Sequence, residues 1–149
     1  MIHLVPASKS DAAFLADLEA EVMRDHATAL WGHFSPAEVS IFDLEATQII
    51  QQADRRVGYV TVETSADHLR LRKLYLTPAA QGHGVGAAVL AMVQDRANQA
   101  GLPLRLSVLA PNKRALSFYL RQGLRVSETT AERVFLQSPP SVLHLPQAS

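Results

Sequence analysis

The apolar residues of the chain recur at two spacings, and each spacing predicts a different kind of element. Between Phe14 and Val22 they lie three or four positions apart, which is typical of a helix that buries one face. From Leu104 to Val108 they alternate with polar residues, which is typical of a half-buried strand. Capping patterns after Ser8 and Ser35 mark two helix starts, since each serine is followed three residues later by an acidic residue.

These signals together predict the element order of the chain. Helices are expected after Ser8, after Ser35, over about 84–100 and over about 112–122. Strands are expected over 2–5, 47–51, 57–64, 68–76, 104–108, 124–127 and 133–137. Short polar turns between the second, third and fourth strands favour antiparallel hairpins. A strand, a helix and a strand over 68–108 favour one βαβ crossover.

The predicted fold class is therefore α/β (α+β), with a mixed and mostly antiparallel sheet of six to seven strands, a central βαβ crossover and about four helices. Residues 1–138 are expected to form a single domain. Residues 139–149 are expected to be a flexible tail, because Pro139, Pro140 and Pro146 interrupt any regular element there.

The fourth predicted strand contains a change of phase. Its apolar residues fall first on odd positions, at Leu69 and Leu71, and then on even positions, at Leu74 and Leu76. A β-bulge near Arg72 would produce this change by adding one residue to the strand. A strand end that is buried on both faces would produce the same pattern.

The composition limits the partners and the chemistry that can be expected of the protein. Lys and Arg together number 14, as do Asp and Glu, so the net charge gives no reason to expect a nucleic-acid or membrane partner. The absence of Cys excludes disulfides and thiolate chemistry. The N-terminus has no signal-peptide pattern and no segment is long enough to span a membrane, so a cytoplasmic location is expected. No metal is expected, because no two of the six His residues have a ligand-like spacing on one element.

Glycines at 82, 84 and 86 lie where the fourth strand gives way to a helix. Such a backbone lets a ligand approach closely, and the free N–H groups at a helix start favour phosphate. A tight turn with small residues for packing is the alternative. The Walker pattern fails because Ala87 follows Gly86. A nicotinamide cofactor is rejected because no acidic residue follows about 20 positions later and the chain has one crossover only.

The hexapeptide Gln-Gly-His-Gly-Val-Gly at 81–86 resembles the Gln/Arg-x-x-Gly-x-Gly/Ala signature of the GNAT superfamily of N-acetyltransferases. The segment from Leu106 to Leu124 resembles a later motif of the same superfamily, with Asn112, Tyr119 and Gly123 in register. The predicted element order also agrees with that of the superfamily. The resemblance implies an acyltransferase with acetyl-CoA as acyl donor.

The resemblance also implies roles for individual residues. Main-chain groups of Leu74, Tyr75 and Leu76 would pair with the pantetheine arm of acetyl-CoA. Asn112 would contact that arm or support the loop, although it could also be only a helix N-cap. Tyr119 would act as general acid toward the departing thiolate, although it could be only a core aromatic. The pyrophosphate would be held by the main chain of Gln81, Gly82, His83, Gly84, Val85 and Gly86.

The general base and the acceptor pocket are less well marked. Many relatives place a Glu in the fourth strand, whereas this chain has Arg72 and Lys73 there. Glu63 is the candidate base, Asp25 and His26 are further candidates, and a water chain is the remaining alternative. His26 and Trp31 are expected in the substrate pocket.

Two functions from different classes remain at this point. The first is an N-acetyltransferase that acts on a primary amine of a small molecule, an amino acid or a protein, with a homodimer as a possible assembly. The second is an acyl-CoA-binding sensor or interaction module without turnover. The absence of a carboxylate on the fourth strand favours the second, and Tyr119 favours the first.

Overall fold

A computed structural model describes residues 1–32 and 43–139 of the chain. The strands are β1 (Ile2–Pro6), β2 (Thr47–Gln52), β3 (Arg55–Thr64), β4 (Leu69–Leu76), β5 (Leu104–Leu109), β6 (Arg125–Thr129) and β7 (Arg133–Gln137). The α-helices are α1 (Ala12–Trp31), α2 (Val85–Ala100) and α3 (Lys113–Arg121). Short 3₁₀ turns cover Lys9–Asp11, Leu44–Ala46 and Pro78–Ala80.

The seven strands form a single mixed sheet in the order β1-β2-β3-β4-β5-β7-β6. All neighbouring strands are antiparallel except β4 and β5, which are parallel and joined through α2. The predicted fold class and the central crossover are confirmed. The described residues contain three α-helices where about four were expected. The helix expected after Ser35 falls largely on residues 33–42, outside the described residues.

Helix α1 begins and ends at recognisable signals. The Ser8 N–H donates to the Asp11 carboxylate at 2.9 Å, which forms the expected capping box around the 3₁₀ turn that leads into α1. Gly32 ends the helix in a left-handed conformation, with φ of 79°. The helix runs beyond the apolar repeat that ends at Val22, and this extension places His26 and Trp31 on α1.

A β-bulge interrupts β4. Thr61 of β3 pairs with Lys73, whereas the next residue, Val62, pairs with Leu71, so Arg72 has no residue opposite it. After the bulge, Leu74 packs on the same apolar cluster as Leu71. The change of phase in the sequence is thus a bulge in the structure.

Helices cover both faces of the sheet and bury two apolar clusters. The larger cluster joins the sheet to α2 and α3, with Val89, Leu90 and Leu104 fully buried in it. The smaller cluster joins the sheet to α1 through Leu15, Ile49 and Tyr59. Among the described residues, no helix combines the length and apolar character needed to cross a membrane.

At Gly58 of β3, the main chain of β4 occupies the space that a side chain would need, which gives a test of the packing. A methyl group at Gly58 would collide with the Tyr75 carbonyl oxygen and would lie 2.9 Å from Leu76 Cδ2. We expect Gly58→Ala to lower the free energy of unfolding in urea by about 2–3 kcal/mol, because a main-chain atom cannot move aside as a side chain can.

Gly86→Ala is the matched control. Its added methyl would lie 3.5 Å from Phe118 Cζ, which is an ordinary contact. We expect this variant to be neutral or more stable by up to about 1 kcal/mol, because alanine favours the helix. A Gly58→Ala protein as stable as the wild type would contradict the register of β3 and β4.

Candidate active site

The parallel strands β4 and β5 separate soon after they meet. They pair only at Leu69 with Leu104 and at Arg70 with Arg105. The bulge at Arg72 comes directly after this point and bends β4. The remaining parts of the two strands line a cleft of about 970 Å³. A wedge-shaped opening therefore lies in the middle of the sheet.

The glycine loop after β4 forms one end of this cleft. Gly82 and Gly84 have φ of 81° and 83°, a region that glycine enters without steric cost. A Cβ atom built on either glycine would have no neighbouring atom within 4 Å, so both face open space. Both residues line the cleft.

Helix α2 starts at this loop and adds its N-terminal N–H groups. The Ala88 N–H donates to the Gly84 carbonyl at 3.1 Å and closes the first turn. The N–H groups of Val85, Gly86 and Ala87 precede that bond, so the helix offers them no acceptor of its own. Free N–H groups and the positive end of the helix dipole together suit an anionic ligand.

The side chain of Gln81 attaches the loop to the end of β4. Its Nε2 donates to the Leu76 carbonyl at 3.1 Å. This bond fixes the position of the glycines relative to the strand.

Helix α3 supplies a capping amide and a buried phenol. Asn112 Oδ1 accepts from the Ala115 N–H at 3.1 Å, so Asn112 caps the helix. Tyr119 is 8% exposed and packs against Phe118 with ring centroids 5.1 Å apart. Asn112 and Tyr119 also line the cleft, so each can contact a ligand in addition to stabilising the fold.

Helix α1 forms the opposite wall and brings an ion pair into the cleft. Glu19 Oε2 lies 2.7 Å from Lys73 Nζ, and their side chains are 14% and 24% exposed. Val22, Met23 and His26 follow Glu19 at helical spacing and also line the cleft.

The cleft is rich in cationic residues although the whole chain is neutral. Two acidic residues, Glu19 and Glu21, line it. The cationic residues of the lining are Arg70, Arg72, Lys73, Arg114, Arg121 and Arg133. This imbalance favours an anionic ligand. Within 1–32 and 43–139, no group of three or more His, Asp or Glu residues is placed to hold a metal ion.

The comparison with known families identifies the fold. The sequence model described as "Acetyltransferase (GNAT) family" matches residues 13–124, about three quarters of the chain. The chain belongs to the acetyltransferase (GNAT) family. It is accordingly an acetyltransferase with acetyl-CoA as acyl donor, and the family and enzyme class expected from the sequence are confirmed. None of the curated protein sequences matches the chain significantly.

Solved structures of several acetyltransferases share the fold of this chain. The PaiA N-acetyltransferase of Thermoplasma acidophilum, solved with coenzyme A, is 17% identical with a TM-score of 0.74, over 93% of this chain and 98% of that chain. The ribosomal-protein-S18-alanine N-acetyltransferase of Escherichia coli is 19% identical with a TM-score of 0.70, over 95% of each chain. Naa50 of Arabidopsis thaliana, solved with a bisubstrate analogue, is 16% identical with a TM-score of 0.68, over 93% and 98%.

The acetyltransferase fold brings most of the site residues expected from the sequence to one cleft. Those that line it are Leu74, Tyr75, Leu76, Gln81, Gly82, Gly84, Gly86, Asn112, Tyr119 and His26. His83 lies in the loop with its side chain exposed. Val85 is 2% exposed and packs in the larger apolar cluster. These two residues can therefore face the cleft only through their main chain.

Two expected residues lie outside the cleft lining. The Glu63 carboxylate is 3.2 Å from Arg72 Nη1 and is half-exposed. The Trp31 indole donates to Glu132 at 2.9 Å, so it joins the end of α1 to the turn before β7. Neither side chain is in the position that the sequence analysis expected of a base or a pocket residue.

Sequence reasoning missed Glu19 and Arg133. Glu19 precedes His26 by two helical turns, so the spacing could have placed both on one face of α1. No signal in the sequence marks Arg133, because its place in the cleft depends on the pairing of β7 with β5.

Burial raises the pKa of Tyr119 above its ordinary value of 10. Burial also raises the pKa of Tyr59 and Tyr75, and the negative charge of the nearby Glu19 is the second cause. The hydroxyl groups of all three tyrosines therefore stay protonated at neutral pH and can donate hydrogen bonds.

These shifts predict how stability depends on alkaline pH. Above pH 10 the unfolded chain releases tyrosine protons that the folded chain retains, so stability falls as the pH rises. Each tyrosine would contribute about 1.4 kcal/mol of this loss per pH unit. We expect tyrosinate absorbance and loss of circular dichroism to rise together in one pH titration. A tyrosinate transition near pH 10 in a protein that is still folded would contradict this.

Proposed function

We propose that this acetyltransferase moves the acetyl group of acetyl-CoA to a primary amine by direct attack, with Tyr119 as general acid. The observation that supports this best is the divergence of β4 and β5 after Arg70 and Arg105, beside the glycine loop and Tyr119. An extended donor fits such an opening, because β4 can pair with it as a further strand would.

The donor would be held largely by main-chain groups. Leu74, Tyr75 and Leu76 would pair with the pantetheine arm, and the loop from Gln81 to Gly86 would hold the pyrophosphate. The open space at Gly82 and Gly84 and the free N–H groups at the start of α2 support this assignment. Asn112, which caps α3 at the edge of the cleft, would contact the same arm.

The reaction forms a bond between the amine nitrogen and the acetyl carbon and breaks the bond between that carbon and sulfur. The ammonium form of the acceptor must first lose a proton, and the departing thiolate must gain one. The Tyr119 hydroxyl would supply a proton to the thiolate, and the second proton that the amine nitrogen loses as the amide forms would restore the Tyr119 phenol. A main-chain N–H near Leu76 would stabilise the oxyanion of the tetrahedral intermediate.

The first proton needs an acceptor in the cleft. Glu63 was the candidate, but its carboxylate pairs with Arg72 outside the lining. Glu19 and His26 line the cleft on α1, so they are better placed to receive the proton directly or through water. The sensor hypothesis rested on the missing carboxylate of β4, and Glu19 on the facing wall removes that argument.

Free-thiol release from acetyl-CoA tests the proposed function. The acceptors would be amino acids, polyamines, aminoglycosides and short peptides, and the chain contributes no background because it has no Cys. We expect release that depends on an amine. In the Tyr119→Phe protein we expect kcat to fall about 100-fold, because a positioned acid contributes roughly 10²–10⁴, while KM for acetyl-CoA stays within about twofold.

Tyr59→Phe is the matched control for this variant, because Tyr59 is a buried tyrosine outside the cleft lining. It should keep its turnover. Unchanged turnover in Tyr119→Phe would remove Tyr119 from the mechanism without affecting the donor site.

Gly84→Val tests the pyrophosphate loop. Gly84 has a left-handed φ, which disfavours a branched side chain. The valine side chain would also occupy the open space of the loop. We expect acetyl-CoA binding, measured by calorimetry, to weaken by at least about 100-fold while the circular dichroism spectrum is retained.

Gly101→Val is the control, because Gly101 has φ of 70° and open space at the other end of α2. It introduces comparable backbone strain away from the cleft. Equal loss of acetyl-CoA binding in both variants would show that strain, and not the loop, is responsible.

A further inference from the structure

The acceptor side of the cleft contains a close pair of opposite charges. Glu19 on α1 and Lys73 on β4 lie 2.7 Å apart with most of their surface withdrawn from water. Removing two charges from water is costly, and an ion pair at such a position often contributes little net stability. The pair therefore needs an explanation other than holding α1 against the sheet.

Tyr75 lies where charges of both signs meet. Burial is the main cause of its raised pKa, followed by the negative charge of Glu19 and the neighbouring Tyr119. The positive charges of Arg133 and Arg72 oppose this rise. A carboxylate and a guanidinium thus both act on the region around the Tyr75 hydroxyl, in the same part of the cleft as the proposed acid.

Arg133 supplies the free positive charge of this region. It is the first residue of β7, pairs in register with Leu109 of β5, and lines the cleft half-buried. No Asp or Glu within residues 1–32 and 43–139 forms an ion pair with it. The preceding residue, Glu132, is attached to Trp31, which fixes this end of the hairpin to α1.

The other cationic residues have different placements. Arg114 and Arg121 belong to α3, whose Phe118 packs beside Gly86 at the start of α2, so they lie toward the glycine loop. Arg72 pairs with Glu63. Arg70 pairs with Arg105 where β4 and β5 are still joined. Among the remaining cations that line the cleft, Arg133 is thus the one that acts on Tyr75 and forms no ion pair with an Asp or Glu of the described residues.

We propose that the acceptor is a small zwitterion, an α-amino acid, whose carboxylate binds Arg133 and whose ammonium group approaches Glu19. This inference rests on the proposed function and specifies its substrate. One guanidinium and one carboxylate complement the two charges of an amino acid, and an arginine fork matches a carboxylate with two parallel hydrogen bonds. Lys73 holds the Glu19 carboxylate in place until the ammonium group arrives.

The test compares the standard L-α-amino acids with their α-carboxamides, which keep the amine and lose the negative charge. We expect the wild-type protein to prefer an amino acid over its carboxamide by tenfold or more in kcat/KM. In Arg133→Gln, KM for that amino acid should rise about tenfold or more, while KM for the carboxamide and for acetyl-CoA should change less than about twofold. Arg133→Lys should restore part of the preference.

Arg125→Gln is the matched control, because Arg125 lies on the exposed strand β6 away from the cleft lining. It should leave every constant unchanged. A calorimetric titration of the preferred amino acid into protein saturated with CoA gives a second readout, independent of turnover. Binding there should weaken in Arg133→Gln and not in Arg125→Gln.

The contrary outcomes separate the two proposals. Equal acetylation of amino acids and carboxamides would overturn the zwitterion and leave the N-acetyltransferase intact. A raised KM for acetyl-CoA in Arg133→Gln would assign Arg133 to the donor and overturn its role here. Acetylation confined to peptides or polyamines would also overturn it. Absence of thiol release with every amine, together with absence of amino-acid binding, would defeat both proposals.

Discussion

Pairing between β4 and β5 stops after Arg70 and Arg105, and the site depends on that interruption. A parallel ladder along both strands would satisfy their main chains and leave no space between them. The extra residue at Arg72 bends β4, while β3 still pairs with β4 up to Leu76 and keeps it in the sheet. The outer part of β4 therefore keeps one partner and gains a free edge inside the fold, where an extended ligand can bind without exposing that edge to aggregation.

The two ends of the cleft obtain their charge from different groups. The glycine loop and the start of α2 contribute main-chain N–H groups, whose partial charges do not titrate. The proposed acceptor end depends on the side chains of Glu19, Lys73 and Arg133, which line the cleft from three separate elements. Because the chain has no net charge, the excess of cations in the cleft comes from local placement and not from composition.

The sequence was sufficient for features that depend on neighbouring residues. The capping box at Ser8, the change of phase around Arg72 and the glycines at 82 and 84 are local signals, and each leads directly to the structure. Features that depend on contacts between residues far apart in the sequence were not predicted. The contact between Glu19 and Lys73 requires α1 to pack over β4, and the attachment of Trp31 to Glu132 requires an α1 longer than its apolar repeat. Glu63 was a reasonable candidate base by strand position, but Arg72 on the neighbouring strand engages it.

This difference between local and distant signals also explains how the fold can be shared at low sequence identity. The proposed donor end is built from main chain, glycines and a bulge, so few side chains need to be retained for its geometry. The solved acetyltransferases agree with this chain in fold at 16–19% identity. The proposed acceptor end is built from side chains on α1, β4 and β7, which can change without altering the sheet. A family constructed in this way can keep one donor and vary its acceptors, and the identity of the acceptor must then be sought in charges such as Glu19 and Arg133.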